Sequence, residues 1–118
     1  MVQIDERTDG SATIVALSGD ITMGGAGRVS DRVRALLHAG RYHLLLDLTR
    51  VRYVDSAGLG ELVQAYAAVK VRGGALKLLH VGPRLRELLV VSRLLTVFDA
   101  YESEREAIAS FEAHALPR

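Results

Sequence analysis

The chain contains no cysteine. Disulfides and cysteine-based metal sites are therefore excluded, and a cytoplasmic setting is the expectation. No apolar run approaches the roughly 20 residues needed to span a bilayer. The opening stretch MVQIDERTDG has neither the basic nor the apolar region of a secretory signal, so membrane insertion is not expected. There is no surplus of charge either: 15 Lys plus Arg stand against 14 Asp plus Glu, for a net charge of +1. Proteins that bind nucleic acid directly usually carry a basic excess or stripe, and that class is set aside. The arginines do gather from Arg28 to Arg34 and from Arg84 to Arg93. Acidic neighbours and helical spacing make these solvated helix faces.

Further motifs are missing. The histidines are His38, His43, His80 and His114, and no two have the spacing of metal ligands. A phosphate-cradling G-x-x-x-x-G-K-[ST] loop is absent. Neither a metal nor a cofactor is expected.

What is present is an ordinary folding composition. Of the 118 residues, 49% are hydrophobic and 25% charged, enough for one domain over residues 1–118 with a real core, at about 12–112. Val2 to Glu6 reads as a strand, and Thr8-Asp9-Gly10-Ser11 as a turn. Ala12 to Leu17 then pairs back as a hairpin, and Ser18 to Gly27 reads as a loop. Val29, Val33, Leu36 and Leu37 mark one face of a helix, with Gly40 as its stop. His43 to Leu48 is a near-continuous apolar run, the pattern of a strand buried on both faces. Thr49 to Arg52 reads as a polar turn. Leu59, Leu62, Val63, Tyr66 and Val69 mark a second helix, ended by Gly73-Gly74. Ala75 to Val81 reads as a strand, and Pro83 opens a third helix with Leu85, Leu88 and Leu89 inward. Thr96-Val97-Phe98 reads as a short edge strand. Ser103 and Glu106 form a capping box for a last helix bearing Ala107, Ile108 and Phe111. The residues from His114 to Arg118 read as a frayed end. Alternating strands and helices imply an α/β fold: a small mixed sheet packed against about four helices.

One stretch does not fit plain helix chemistry. Tyr53 to Leu62 reads YVDSAGLGEL, with Gly58 and Gly60 in the first turn of a helix. Each glycine costs about 0.5–1 kcal/mol there relative to alanine. The stretch is not a dinucleotide fingerprint, since Val63 stands where the third glycine belongs. It is not a nucleophile elbow, since Val54 replaces that motif's first glycine. Ser56 could be the helix N-cap, and Asp55 could serve equally well. The glycines could serve close packing or a bulge. The alternative is an accessible serine among small neighbours, where a second protein approaches the helix end and a kinase reaches the hydroxyl.

These residues carry a resemblance. The stretch from Ile14 to Phe111 resembles the STAS-domain family, and within it the bacterial anti-sigma factor antagonists. The specific parts are D-S-x-G-L-G after an apolar strand, a helix followed by R-x-G-G, and the later G-P-R-x-x-x-x-L. The resemblance implies a STAS-like α/β fold and a phosphorylatable serine at Ser56. It also implies partner switching in transcription regulation, often of a stress response. The unphosphorylated protein binds an anti-sigma factor that is itself a serine protein kinase, and a sigma factor is released. Phosphorylation abolishes binding, and a PP2C-type phosphatase restores it. The partner-binding residues implied are Asp20, Thr22, Asp55, Ser56, Gly58, Gly60 and Glu61, at one end of the domain. Thr22 departs from the acid that many members carry there, which bears on partner choice. No enzymatic activity is implied. STAS domains also act as accessory subunits of transport systems or as stress-sensing scaffolds, and a serine-nucleophile hydrolase is a remote alternative.

Overall fold

The structure is a computed structural model that describes residues 2–23 and 27–115. In chain order it contains β1 (Gln3–Asp9), β2 (Ala12–Ile21), α1 (Arg28–His38), β3 (His43–Val54), α2 (Ser56–Val71), β4 (Ala75–Leu79), α3 (Pro83–Val91), β5 (Asp99–Tyr101) and α4 (Glu104–Ala115). The strands form one sheet in the order β1-β2-β3-β4-β5. β1 is antiparallel to β2, and every other pairing is parallel. This is the mixed sheet with four helices that the element order implies.

The connectivity dictates the layers. From β2 to β5 each strand is followed by a helix and then by the next parallel strand. Such crossovers are right-handed almost without exception. Three of them stepping the same way across the sheet put α1, α2 and α3 on one face. Val33, Leu44, Leu46, Leu62, Leu78 and Leu89 meet in the core there. α4 packs on the opposite face, where Phe111 and Ala107 meet Ile14, Leu45 and Leu79. The apolar run in β3 thus has a core on each side of it.

The second face also holds a charge. Lys77 is buried, and its Nζ donates to Ser110 Oγ at 2.7 Å while lying 4.9 Å from the Phe111 ring centroid and 5.7 Å from that of Tyr101. An ammonium taken out of water needs such partners, and aromatic faces supply part of the lost solvation. Arg7 donates to Glu104 and links β1 to the start of α4. That hydrogen bond to Glu104 holds the Arg7 guanidinium above its ordinary pKa.

Three expectations need correction. β2 does not end at Leu17; Ser18 to Ile21 continue the strand and pair with Arg50 to Val54. Residues 24–26 of the anticipated loop lie outside the described residues. Thr49 to Arg52 is not a turn but part of a single 12-residue strand. Between Ala16 and Ser18 β2 advances two residues while β3 advances three, from Asp47 to Arg50; between Gly19 and Asp20 it advances one while β3 advances two, from Val51 to Tyr53. Each extra residue is a bulge that flips which side chains face the core. The inward positions therefore run Leu46, Leu48, Val51 and Val54, and the three-residue steps resemble a turn. Finally, the edge strand is Asp99–Tyr101, not Thr96-Val97-Phe98; Phe98 is a core residue that meets Tyr66 edge-on at 5.2 Å. The anticipated hairpin and the Ser103 cap are present, with Glu106 N donating to Ser103 Oγ at 3.2 Å. α4 runs through His114 to Ala115, and residues 116–118 of the anticipated frayed end lie outside the described residues.

Phe111 is fully buried and supports both the ring of His43, stacked at 5.3 Å, and the Lys77 amine. Phe111→Ala should lower stability by about 3–5 kcal/mol, read from urea unfolding monitored by circular dichroism. A loss below about 1 kcal/mol would mean that α4 contributes no second core.

Candidate functional site: the start of α2

Because β2 and β3 are parallel, their C-terminal ends lie together. Asp20 is level with Tyr53, and Ile21 with Val54. The chain leaves β3 at Val54, turns at Asp55 and enters α2 at Ser56. The end of β2 and the start of α2 are therefore neighbours by topology.

The capping question has a definite answer. Asp55 is the N-cap, in extended conformation, and its Oδ1 accepts from Gly58 N at 2.8 Å. Asp55 Oδ2 accepts from Met23 N in a long hydrogen bond of 3.5 Å, and Asp55 N donates to Ile21 O at 3.3 Å. One residue thus caps α2 and ties it to the end of β2. Ser56 is the first helical residue and is exposed. Among the described residues its hydroxyl makes no hydrogen bond. The N-cap reading of Ser56 is therefore replaced by Asp55.

The two glycines do different jobs. A β-carbon on Gly58 would lie 1.9 Å from Ile21 O, well inside contact distance, so only glycine lets the β2 backbone rest on the first turn of α2. Gly58 is buried. Its smallness is spent inside the domain, as the close-packing reading of the sequence anticipates. Gly60 is half-buried, and a β-carbon there would meet nothing within 4 Å. Nothing inside the described structure requires glycine at 60, and its smallness faces outward.

Glu61 also departs from expectation. It is 7% exposed, and its Oε1 accepts from Val29 N at 2.8 Å and from Ser30 N at 3.2 Å. It belongs to the internal packing of α2 on α1 rather than to the surface. The remaining residues line up beside Ser56 at the same end of the sheet. Thr22 is half-buried just beyond β2. The carboxylate of Asp20 is paired with the exposed Arg52 at 3.4 Å. Next to it the Arg84 guanidinium lies 5.5 Å from the centroid of the Tyr53 ring. Sequence reasoning missed Arg52 because it took that part of β3 for a turn, and missed the Tyr53–Arg84 pair because Arg84 comes from α3, distant in the chain.

The arrangement supplies an accessible hydroxyl, and among the described residues no side chain that could act as a base is hydrogen-bonded to it. His43 opens β3, at the opposite end of the sheet from Ser56. His38 ends α1, and the His80 ring faces Glu102 at 3.6 Å, on the β5 side.

A small mixed sheet with this element order, and D-S-x-G-L-G at the β3–α2 junction, defines a STAS domain. Residues 4–98 match the family model described as "Mlab, STAS domain". Over 116 residues the chain is 28% identical to the anti-sigma F factor antagonist of Paenibacillus polymyxa, covering 94% of this chain and 96% of that one. It is 30% identical over 98 residues to the anti-sigma-B factor antagonist of Bacillus subtilis, covering 83% and 89%. The chain belongs to the STAS-domain family, among the anti-sigma factor antagonists. The structure of the Bacillus cell fate determinant SpoIIAA in its phosphorylated form shares the fold, with a TM-score of 0.70 at 18% identity, over 93% of this chain and 98% of that one. Among the described residues no helix is long and apolar enough to cross a membrane.

The glycine contrast gives a stability test. Gly58→Ala should destabilise the protein by more than about 2 kcal/mol, because backbone must move. Gly60→Ala should be neutral or stabilise by about 0.5–1 kcal/mol, as in an open helix position. Thermal melts of the two variants decide, and equal effects would refute the assignment.

Proposed function

We propose that the protein is a phosphorylation-switched binding module rather than an enzyme. With Ser56 unphosphorylated, it binds an anti-sigma factor that is also a serine protein kinase, and the sigma factor is released. The kinase brings the nucleotide and phosphorylates Ser56, which ends the complex. A PP2C-type phosphatase removes the phosphate and resets the cycle. The contact surface comprises Ser56 and Gly60 on α2 with Asp20 and Thr22 at the end of β2; Asp55, Gly58 and Glu61 support it from beneath.

The observation that carries this reading is the division of labour at the helix start. Asp55 performs the capping, so the hydroxyl of Ser56 remains exposed. A structural cap would be spent on the helix and hidden from a kinase. Gly60 adds to this, since its open side lets a partner backbone approach.

The same geometry sets how the phosphate acts. It adds about −1.5 to −2 charges at a helix N-terminus, where the helix dipole favours an anion by about 0.3–1 kcal/mol. Asp55 opposes it through like-charge repulsion, weakened by water and salt. Within the domain these effects nearly cancel, to within about 1 kcal/mol. In the complex the phosphate replaces a neutral hydroxyl at a close contact. Leaving such a charge unpaired at an interface costs about 2–5 kcal/mol. The interface loses by a wider margin than the fold.

The experiment begins with a native lysate drawn over immobilised Ser56→Ala and Ser56→Asp proteins. Ser56→Ala should retain a kinase-type anti-sigma factor that Ser56→Asp does not. The purified partner with ATP should then add one phosphate, placed on Ser56 by peptide mass spectrometry, and affinity should fall at least thirtyfold, about 2 kcal/mol. Phosphate found chiefly on Ser11, Ser30, Ser92 or Ser103 would remove the basis for the switch.

A further inference from the structure

Helix α1 starts without a cap of its own. Its N-cap is Gly27, in the left-handed region at φ 86°, and no side chain of that position accepts from the first turn. The first backbone N–H groups of a helix have no partner within the helix and must find one elsewhere. Here the acceptor comes from a different helix. Glu61, on the second turn of α2, directs Oε1 to both Val29 N and Ser30 N. The carboxylate is nearly sealed from solvent, and the positive end of α1 is what compensates it.

Asp55, six positions earlier, makes the matching contact on the other side. Its Oδ2 holds Met23 N, just past β2. The end of β2 and the start of α1 are therefore each fastened to α2, by an acid on either side of Ser56 and Gly60. Of the two, the Glu61 contact is the short one, a charge-assisted hydrogen bond of 2.8 Å to Val29 N, while the Asp55 contact to Met23 N is long at 3.5 Å.

We propose that Glu61 is a positioning residue for partner binding: by capping α1 from α2 it fixes the α1 start against the turn of α2 that follows Ser56, so that the partner meets a pre-formed surface. This rests on the reading of the α2 start as the contact surface. Pre-organisation raises affinity by removing the ordering that binding would otherwise require. Glu61 acts entirely from within the domain and never touches the partner.

The test uses Glu61→Ala and Glu61→Gln in the full chain, with two independent readouts. The first is amide hydrogen exchange by NMR, which needs no partner. In Glu61→Ala, exchange at Val29 and Ser30 should rise at least tenfold while Leu45 and Leu78 in the sheet keep their rates. Glu61→Gln retains an acceptor oxygen and should stay within about threefold of the parent. The second is affinity for the anti-sigma factor retained by the Ser56→Ala protein, measured well below melting. Glu61→Ala should bind at least tenfold more weakly and Glu61→Gln close to normally. A residue that only stabilised the fold would lower the melting temperature and leave the affinity of the folded protein unchanged; that result overturns the proposal. Unchanged exchange at Val29 and Ser30 overturns it as well. If the parent protein itself retains no anti-sigma factor, the proposed function fails and the positioning role with it, while the exchange readout still decides whether Glu61 holds α1.

Discussion

The carbonyl oxygen of Ile21 occupies the space that a β-carbon on residue 58 would need. That backbone-to-backbone approach sets the distance between β2 and α2, and the site follows from it. With the two elements so close, Asp55 can cap α2 and hold Met23 with the same carboxylate. With the cap supplied by Asp55, Ser56 is exposed. The steric constraint outranks the hydrogen bonds. A lost cap costs about 1 kcal/mol, whereas an overlap at 1.9 Å cannot be tolerated and must displace a strand or a helix.

The sheet delivers its strand ends to the same place by a less regular route. β3 carries two more residues than the stretch of β2 it pairs with, and the bulges re-aim its side chains. Arg52 and Tyr53 thereby reach the surface at the Ser56 end, where Asp20 and Arg84 meet them. Such surface pairs add little stability, about 0–1 kcal/mol each. Their contribution is to the shape and charge of the end of the domain that a partner would meet.

Much of this was legible in the sequence, and the failures have physical causes. The helices were readable because each needs one apolar face over several turns, and β3 because two cores sandwich it. The bulged half of β3 was not readable, since strand recognition relies on a period of two and each bulge breaks it. The D-S-x-G-L-G stretch pointed to the site but could not separate Gly58 from Gly60. One is glycine because of Ile21, 37 positions earlier in the chain (58 − 21), and no local pattern encodes that contact. Glu61 was misplaced for the same reason. Its partners are Val29 and Ser30 on another helix. The one available signal was indirect: the N-cap position of α1 is Gly27, which has no side chain to accept from the first turn.

The central claim is that the switch acts at the surface of an unchanged fold, because Asp55 and Gly58 have already fixed the helix start without using the Ser56 hydroxyl. Backbone amide NMR spectra of the phosphorylated and unphosphorylated protein test this directly. Shift changes should be confined to Thr22 and Met23, the first turn of α1, and Asp55 to Leu62. Changes spreading to Leu45, Leu78 and Phe111 in the two cores would show that the phosphate rearranges the domain, and would contradict the account.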